Sequence, residues 1–190
     1  LKRKVKMGTD RWYEKISMSF STKMTNSIST KEGEIFKRET FNSMRNGIQH
    51  SIPVQASFTL FNHLNITPNV NYTERWYFKK VERQWNPETN KVDVLDPEYG
   101  FYRLYNYNSG VSMSTTLYGM WQVKEKYKDF KLQAIRHTIS PQMSFSYTPN
   151  FGNQKYGYFQ TIQSDSTGKT MTYSPFSENA YGTPTSGQNM

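Results

Sequence analysis

The chain has 190 residues, 24 Lys and Arg against 15 Asp and Glu for a formal charge of +9, no cysteine, and only 35% apolar residues, among them Tyr 14, Phe 12 and Trp 4. The missing cysteine removes disulfides, thiolate catalysis and cysteine-ligated zinc; plentiful aromatics argue against disorder; no window holds the roughly 18 apolar residues of a transmembrane helix. A strand-built membrane protein stays allowed, because its lipid face uses alternate positions and leaves the mean hydropathy, here -0.84, polar.

The start, "LKRKVKMGTDRWYEK", is basic but has no apolar region behind it, so it is not a signal peptide as it stands. The charge favours an anionic partner: nucleic acid, a phosphorylated glycolipid and a membrane surface are the candidates. The chain is expected to be an interior portion of a longer protein.

Alternation with period two predicts strands near 12–25, 47–60, 64–78, 101–121 and 134–148. In the first, Ile16, Met18, Phe20 and Met24 oppose Ser17, Ser19, Ser21 and Lys23. In the second, Ile48, His50, Ile52, Val54, Ala56, Phe58 and Leu60 oppose Gln49, Ser51, Pro53, Gln55, Ser57 and Thr59. In the third, Leu64, Ile66, Pro68, Val70 and Tyr72 oppose Asn65, Thr67, Asn69, Asn71 and Thr73. The fourth sets Tyr105, Tyr107, Val111, Met113 and Leu117 against Asn106, Asn108, Ser112, Ser114 and Thr116. The fifth sets Ile135, Ile139, Met143, Phe145 and Tyr147 against Arg136, Thr138, Ser140, Gln142, Ser144 and Ser146. No segment shows a helical period of comparable length.

These runs are long against a soluble average of about five or six residues. Long connections at 26–46, 79–100 and 149–190 contrast with the tight "FNHL" and the intermediate "QVKEKYKDFKLQA". Long loops on one side and short turns on the other are the habit of outer-membrane barrels. With the long loops external, Trp12, Phe61 and Trp121 fall at the periplasmic level and Trp76, Phe78, Phe101 and Tyr105 at the external one, as two interfacial belts. Glu14, Glu74 and Arg103 intrude on the apolar register near strand ends, where the penalty for charge is small. The expected fold is therefore all-β, a segment of an antiparallel transmembrane β-barrel spanning 1–190, with apolar faces toward lipid and hydroxyl and amide faces toward an aqueous lumen. Pro53, Pro68 and Pro141 each remove a ladder donor and mark bulges that adjust curvature, or else a functional seam.

No catalytic constellation is present, and neither an enzyme nor a cofactor is expected. His50, His63 and His137 share no ligand spacing, so no metal is predicted. "STGKT" lacks the leading glycine of a phosphate loop, and "SDSTGKT" reads as a hairpin tip with Gly168 at positive φ. The loop cations are interspersed with acids and the aromatics face the other way, which counts against nucleic acid. Lys23, Arg75 and Arg136 project into the polar face, where they can meet phosphates of a glycolipid.

The stretch "IRHTISPQMSFSYTPNFG", Ile135 to Gly152, resembles a stretch of the LptD family, the lipopolysaccharide-assembly proteins of the outer membrane. Arg136, His137, Thr138, Pro141, Tyr147 and Pro149 carry the likeness. The resemblance implies a barrel of about 26 strands, a preceding periplasmic jellyroll, an LptE-like plug lipoprotein and periplasmic bridge proteins that deliver lipopolysaccharide. It also implies location in the outer membrane of a Gram-negative cell. Five strands cannot close such a barrel, and no gate residues are carried over. Two other readings stay open: another large barrel, either an energy-coupled nutrient transporter or a protein-secretion pore, and a soluble carbohydrate-binding β-sandwich.

Overall fold

The computed structural model describes residues 11–34, 37–122 and 134–184. Residues 1–10 of the basic start and most of the "QVKEKYKDFKLQA" connection lie outside the described residues. Among the described residues, apart from 3-10 turns and one five-residue helix, α1 (Arg38–Asn42), the regular structure is all strand. The strands are β1 (Ile16–Met18), β2 (Ser21–Ser27), β3 (Arg45–Ala56), β4 (Phe58–Leu60), β5 (Leu64–Lys80), β6 (Arg83–Asn86), β7 (Lys91–Val94), β8 (Glu98–Thr115), β9 (Leu117–Gln122), β10 (Ala134–Ile139), β11 (Gln142–Tyr147), β12 (Gln160–Gln163) and β13 (Thr170–Tyr173). Hydrogen-bonded neighbours follow the order β1-β3-β5-β8-β11, with β2 also on β3 and β4 also on β5; β9 pairs with β10, β6 with β7 and β12 with β13.

The length of β5 and β8, 17 and 18 residues, follows from alternation that runs on through the Ser109-Gly110 pair of β8. Pro68 lies inside β5 without ending it. Two ladders do break at proline. Pro53 faces the gap between β1 and β2, where only the Ser19 N–H donates to its carbonyl at 3.2 Å, and Pro141 sits between β10 and β11, its carbonyl accepting from Thr115 N–H at 3.2 Å. A missing donor at each position accounts for the irregularity.

The chain divides into two compact units. The short-turn unit comprises Leu1–Met18, Val54–Val70 and Ser109–Ser146. Its β4–β5 turn places Phe61 and Asn62 in the left-handed region, φ 52 and 60, a conformation that asparagine tolerates and that costs a bulky aromatic more. The long-loop unit comprises Ser19–Pro53, Asn71–Asn108 and Tyr147–Met190. Every buried residue among those described belongs to it.

The connections expected at 79–100 and 149–190 carry structure of their own. The first contains the β6–β7 hairpin, its turn held by Glu88 N–H donating to Asn86 Oδ1 at 3.0 Å and by Asn90 at φ 52. The second contains the β12–β13 hairpin, with Gly168 at φ 85 at its tip, and then a stretch that packs on the strands. Tyr77, Leu104, Phe151, Tyr158 and Phe176 form its buried cluster.

Candidate functional site

The two faces of the strands differ in what covers them. On the polar register of the long-loop unit, Phe176 stacks on Tyr77 at 6.1 Å and meets Tyr102 at 5.6 Å. Tyr77 Oη donates to Gly182 O at 2.5 Å, Val81 N–H to Pro175 O at 2.8 Å, and Asn179 Nδ2 to Lys79 O at 3.0 Å. Tyr181 Oη donates to Lys23 O at 2.9 Å and lies 2.7 Å from Thr25 Oγ1. Gly47 makes room for this packing: a Cβ there would stand 2.9 Å from Tyr77 Cε1 and 3.2 Å from Tyr181. Lys79, only 3% exposed, donates to Asn42 O at 2.7 Å, and burial pushes its ammonium pKa down.

The same segment closes the edge of β8 at Tyr105. Tyr158 Oη accepts from Tyr105 N–H at 2.8 Å and donates to Tyr105 O at 3.0 Å, so one hydroxyl satisfies both orphan groups of that residue. Phe151 and Tyr156 pack edge-on to Tyr105.

The apolar register is largely uncovered. Met18, Phe20, Met24, Val70, Phe101, Leu117, Ile135, Ile139, Met143 and Phe145 are all exposed, Met24 by 72% and Met143 by 59%. Ile52 and Phe58 are only half-buried. Across the long-loop unit these side chains form a lateral row. Phe20 stacks on His50 at 5.7 Å, His50 meets Trp76 at 4.3 Å, Trp76 meets Phe101 at 5.6 Å, and Phe101 meets Phe78 at 6.3 Å. One level further along the strands, Glu74 accepts from Trp76 Nε1 at 2.6 Å and from Tyr72 Oη at 2.5 Å, and pairs with Arg103 Nε at 3.1 Å. Where β5 and β8 leave this row, Lys80 bridges Glu82 and Glu98, each at 2.9 Å. The hydrogen bond that Lys80 donates to Glu82, and then the one it donates to Glu98, raise the Lys80 pKa.

A profile described as LptD protein matches residues 1–190. The chain belongs to the LptD family. No curated protein and no solved structure matches it. The LptD family is one of lipopolysaccharide-transport proteins of the outer membrane and not a family of enzymes. No helix among the described residues is long and apolar enough to cross a membrane, which does not bear on strands.

Within this LptD-family chain the residues that carry the resemblance lie on β10, β11 and just beyond. His137 pairs with Gly119 and Thr138 with Tyr118, and the Arg136 guanidinium lies 5.0 Å over the Tyr118 ring. Tyr147 ends β11, and Pro149 is buried where the covering segment begins. The cations expected on the polar face do not form one cluster. Arg75 is half-buried, donates from Nη1 to Asn106 Oδ1 at 2.5 Å, and has no partner for Nε among the described residues. Lys23 is exposed on β2, two strands from Arg75 in the same unit; Arg136 belongs to the other unit. Of the aromatics assigned to interfaces, Trp76, Phe78 and Phe101 share the row above, while Trp12 is 69% and Trp121 57% exposed in the short-turn unit. Tyr105 has a second role, as the residue on which Tyr158 closes.

Sequence reasoning missed Phe151, Tyr158, Tyr173, Phe176 and Asn179. A signal was present: an excursion into water has no use for so many aromatics between 151 and 181. Among the described residues no group of histidines and carboxylates is arranged to hold a metal.

Proposed function

We propose that this chain is part of an outer-membrane β-barrel that carries lipopolysaccharide to the cell surface and inserts it into the outer leaflet. The observation that carries the reading is the inversion of burial. The aliphatic register is exposed while Tyr77, Leu104 and Phe176 are buried on the polar register; Phe151 and Tyr158 close the edge of β8 against Tyr105 and Tyr107. Exposed apolar patches on a monomer rarely exceed a few hundred Å², and a face of Met, Ile, Val and Phe several strands wide belongs in lipid. A sandwich would bury that face against a second sheet, and no such cover accompanies it among the described residues.

On this reading residues 1–190 are one stretch of a larger barrel, the strands cross the bilayer, and the long connections lie outside the cell. The serine, threonine and asparagine of the polar register border water and the sugar portion of the cargo. Lys23 and Arg136, both exposed, are the residues proposed to meet its phosphates; Arg75, tied to Asn106, has less freedom to do so. An LptE-like lipoprotein inside the barrel and bridge proteins on the periplasmic side are the proposed partners. The work is binding and guidance, with no covalent step.

Depletion of the full-length protein in cells tests the reading. Newly made lipopolysaccharide, followed by pulse labelling and surface-accessible modification, should stop reaching the surface; unchanged delivery would reject it. Release of the protein from membranes without detergent would reject the orientation of the faces.

A further inference from the structure

Charge on a lipid-facing strand surface is costly, about 2–4 kcal/mol for Arg or Lys at the bilayer midplane and about 0–1 near the interface. Glu74 and Arg103 lie near the external strand ends, where that cost is small and a charged partner at the headgroup level is within reach. Glu74 is almost fully engaged: Tyr72 Oη, Trp76 Nε1 and Arg103 Nε all converge on its carboxylate, and its side chain is only 16% exposed. Arg103 is not. Its side chain stays 56% exposed, held from one side by Glu74 and laid over the Tyr105 ring at 5.7 Å. A guanidinium is a rigid planar fork suited to phosphate oxygens, and one whose Nε and ring contact are already fixed loses little freedom when it binds.

Aromatic plates surround the fork. Tyr72 and Tyr105 are stacked at 6.2 Å, and Trp76 and Phe101 lie one level away. Rings of this kind cover the apolar faces of sugars, and tyrosine and tryptophan favour the headgroup level where one end is dry and the other wet. A bare phosphate would need the fork alone, and a neutral sugar the rings alone.

We propose that the outward face of β5 and β8 binds the phosphorylated sugar headgroup of a glycolipid in the surrounding leaflet, with Arg103 taking the phosphate and Tyr72 and Trp76 flanking the sugar. The site rests on the reading that this face meets lipid, but it lies on the outside of the strands, apart from the polar register assigned to the cargo. Glu74 is the positioning residue that aims Arg103.

The test uses the full-length protein in lipid nanodiscs, with the photoreactive substitution Phe78→p-benzoylphenylalanine reporting on this face alone. Bis-phosphorylated lipid A is one probe and the same glycolipid stripped of phosphate the other. The parent should crosslink the phosphorylated probe at least fivefold more than the stripped one. Arg103→Gln should remove that preference, and Arg103→Lys should keep part of it. Native heat-modifiable migration on gels checks that each variant is folded. Equal crosslinking of the two probes by the parent, or an unchanged preference in a folded Arg103→Gln, overturns the inference while leaving the membrane reading intact. A parent that does not enter nanodiscs overturns both.

Discussion

The long-loop unit and the short-turn unit use strands of the same alternating pattern to different ends. The first has a buried aromatic cluster, capped strand edges and a segment folded against its polar register; the second has no buried residue among those described. The long-loop unit therefore buries apolar groups against its own chain, whereas the short-turn unit has, among the described residues, its backbone ladders and an exposed apolar register. Alternation decides which way side chains point, and the covering segment decides where the interior is.

This contrast is open to direct attack. The largest effect is expected from Phe176→Ala, which empties the space above Tyr77 and Tyr102 and should cost about 3–5 kcal/mol. The loss should appear as early protease cleavage between 149 and 184, while β9 and β10 stay protected. In the short-turn unit, Met143→Arg should cost about 2–4 kcal/mol when refolding is measured in bilayers. In a soluble protein the same change at so exposed a position would stay within about 0.5 kcal/mol, so a null result in bilayers would count against lipid on that face.

A smaller loss, about 1–2 kcal/mol, is expected for Tyr158→Phe, which leaves the N–H and C=O of Tyr105 without partners. Hydrogen exchange at the Tyr105 amide should quicken, and unchanged exchange would show that the edge is closed by something else. The smallest effect belongs to Asp165 at the β12–β13 tip. Its carboxylate accepts from Thr167 Oγ1 at 2.6 Å, Thr167 N–H at 2.8 Å and Lys169 N–H at 3.1 Å. The Thr167 hydroxyl first, with those amides, holds its pKa below the ordinary 3.8. A carboxyl depressed on folding stabilises above its unfolded pKa, and that contribution is lost as pH falls through the folded value. The Lys169 amide resonance should therefore shift with a midpoint below 3.8, and the shift should vanish in Asp165→Asn.

Much of this was legible from residue order. Period two assigned each side chain of β3, β5 and β8 to a face, and the Trp76, Phe78 and Phe101 positions marked one level of the sheet. What stayed hidden was the use of the polar register as a core. Tyr77 alternates with Arg75 and Thr73, and Leu104 with Asn106, so each reads as an isolated apolar residue on a wet face. Their partner Phe176 is remote in sequence, and periodicity carries no information about which distant segment returns. One of the polar-face cations has a contact that periodicity did not show. Arg75 has the register of a ligand contact, yet Asn106 across the ladder already occupies one end of its fork.

The glycine at 47 ties the near and remote parts of the chain together. A methyl group there would strike the Tyr77 ring at 2.9 Å, so the widths of these two side chains form a single quantity shared between β3 and β5. Relatives that gain bulk at one position should lose it at the other, and a chain altered at 47 alone should be repaired by a smaller residue at 77.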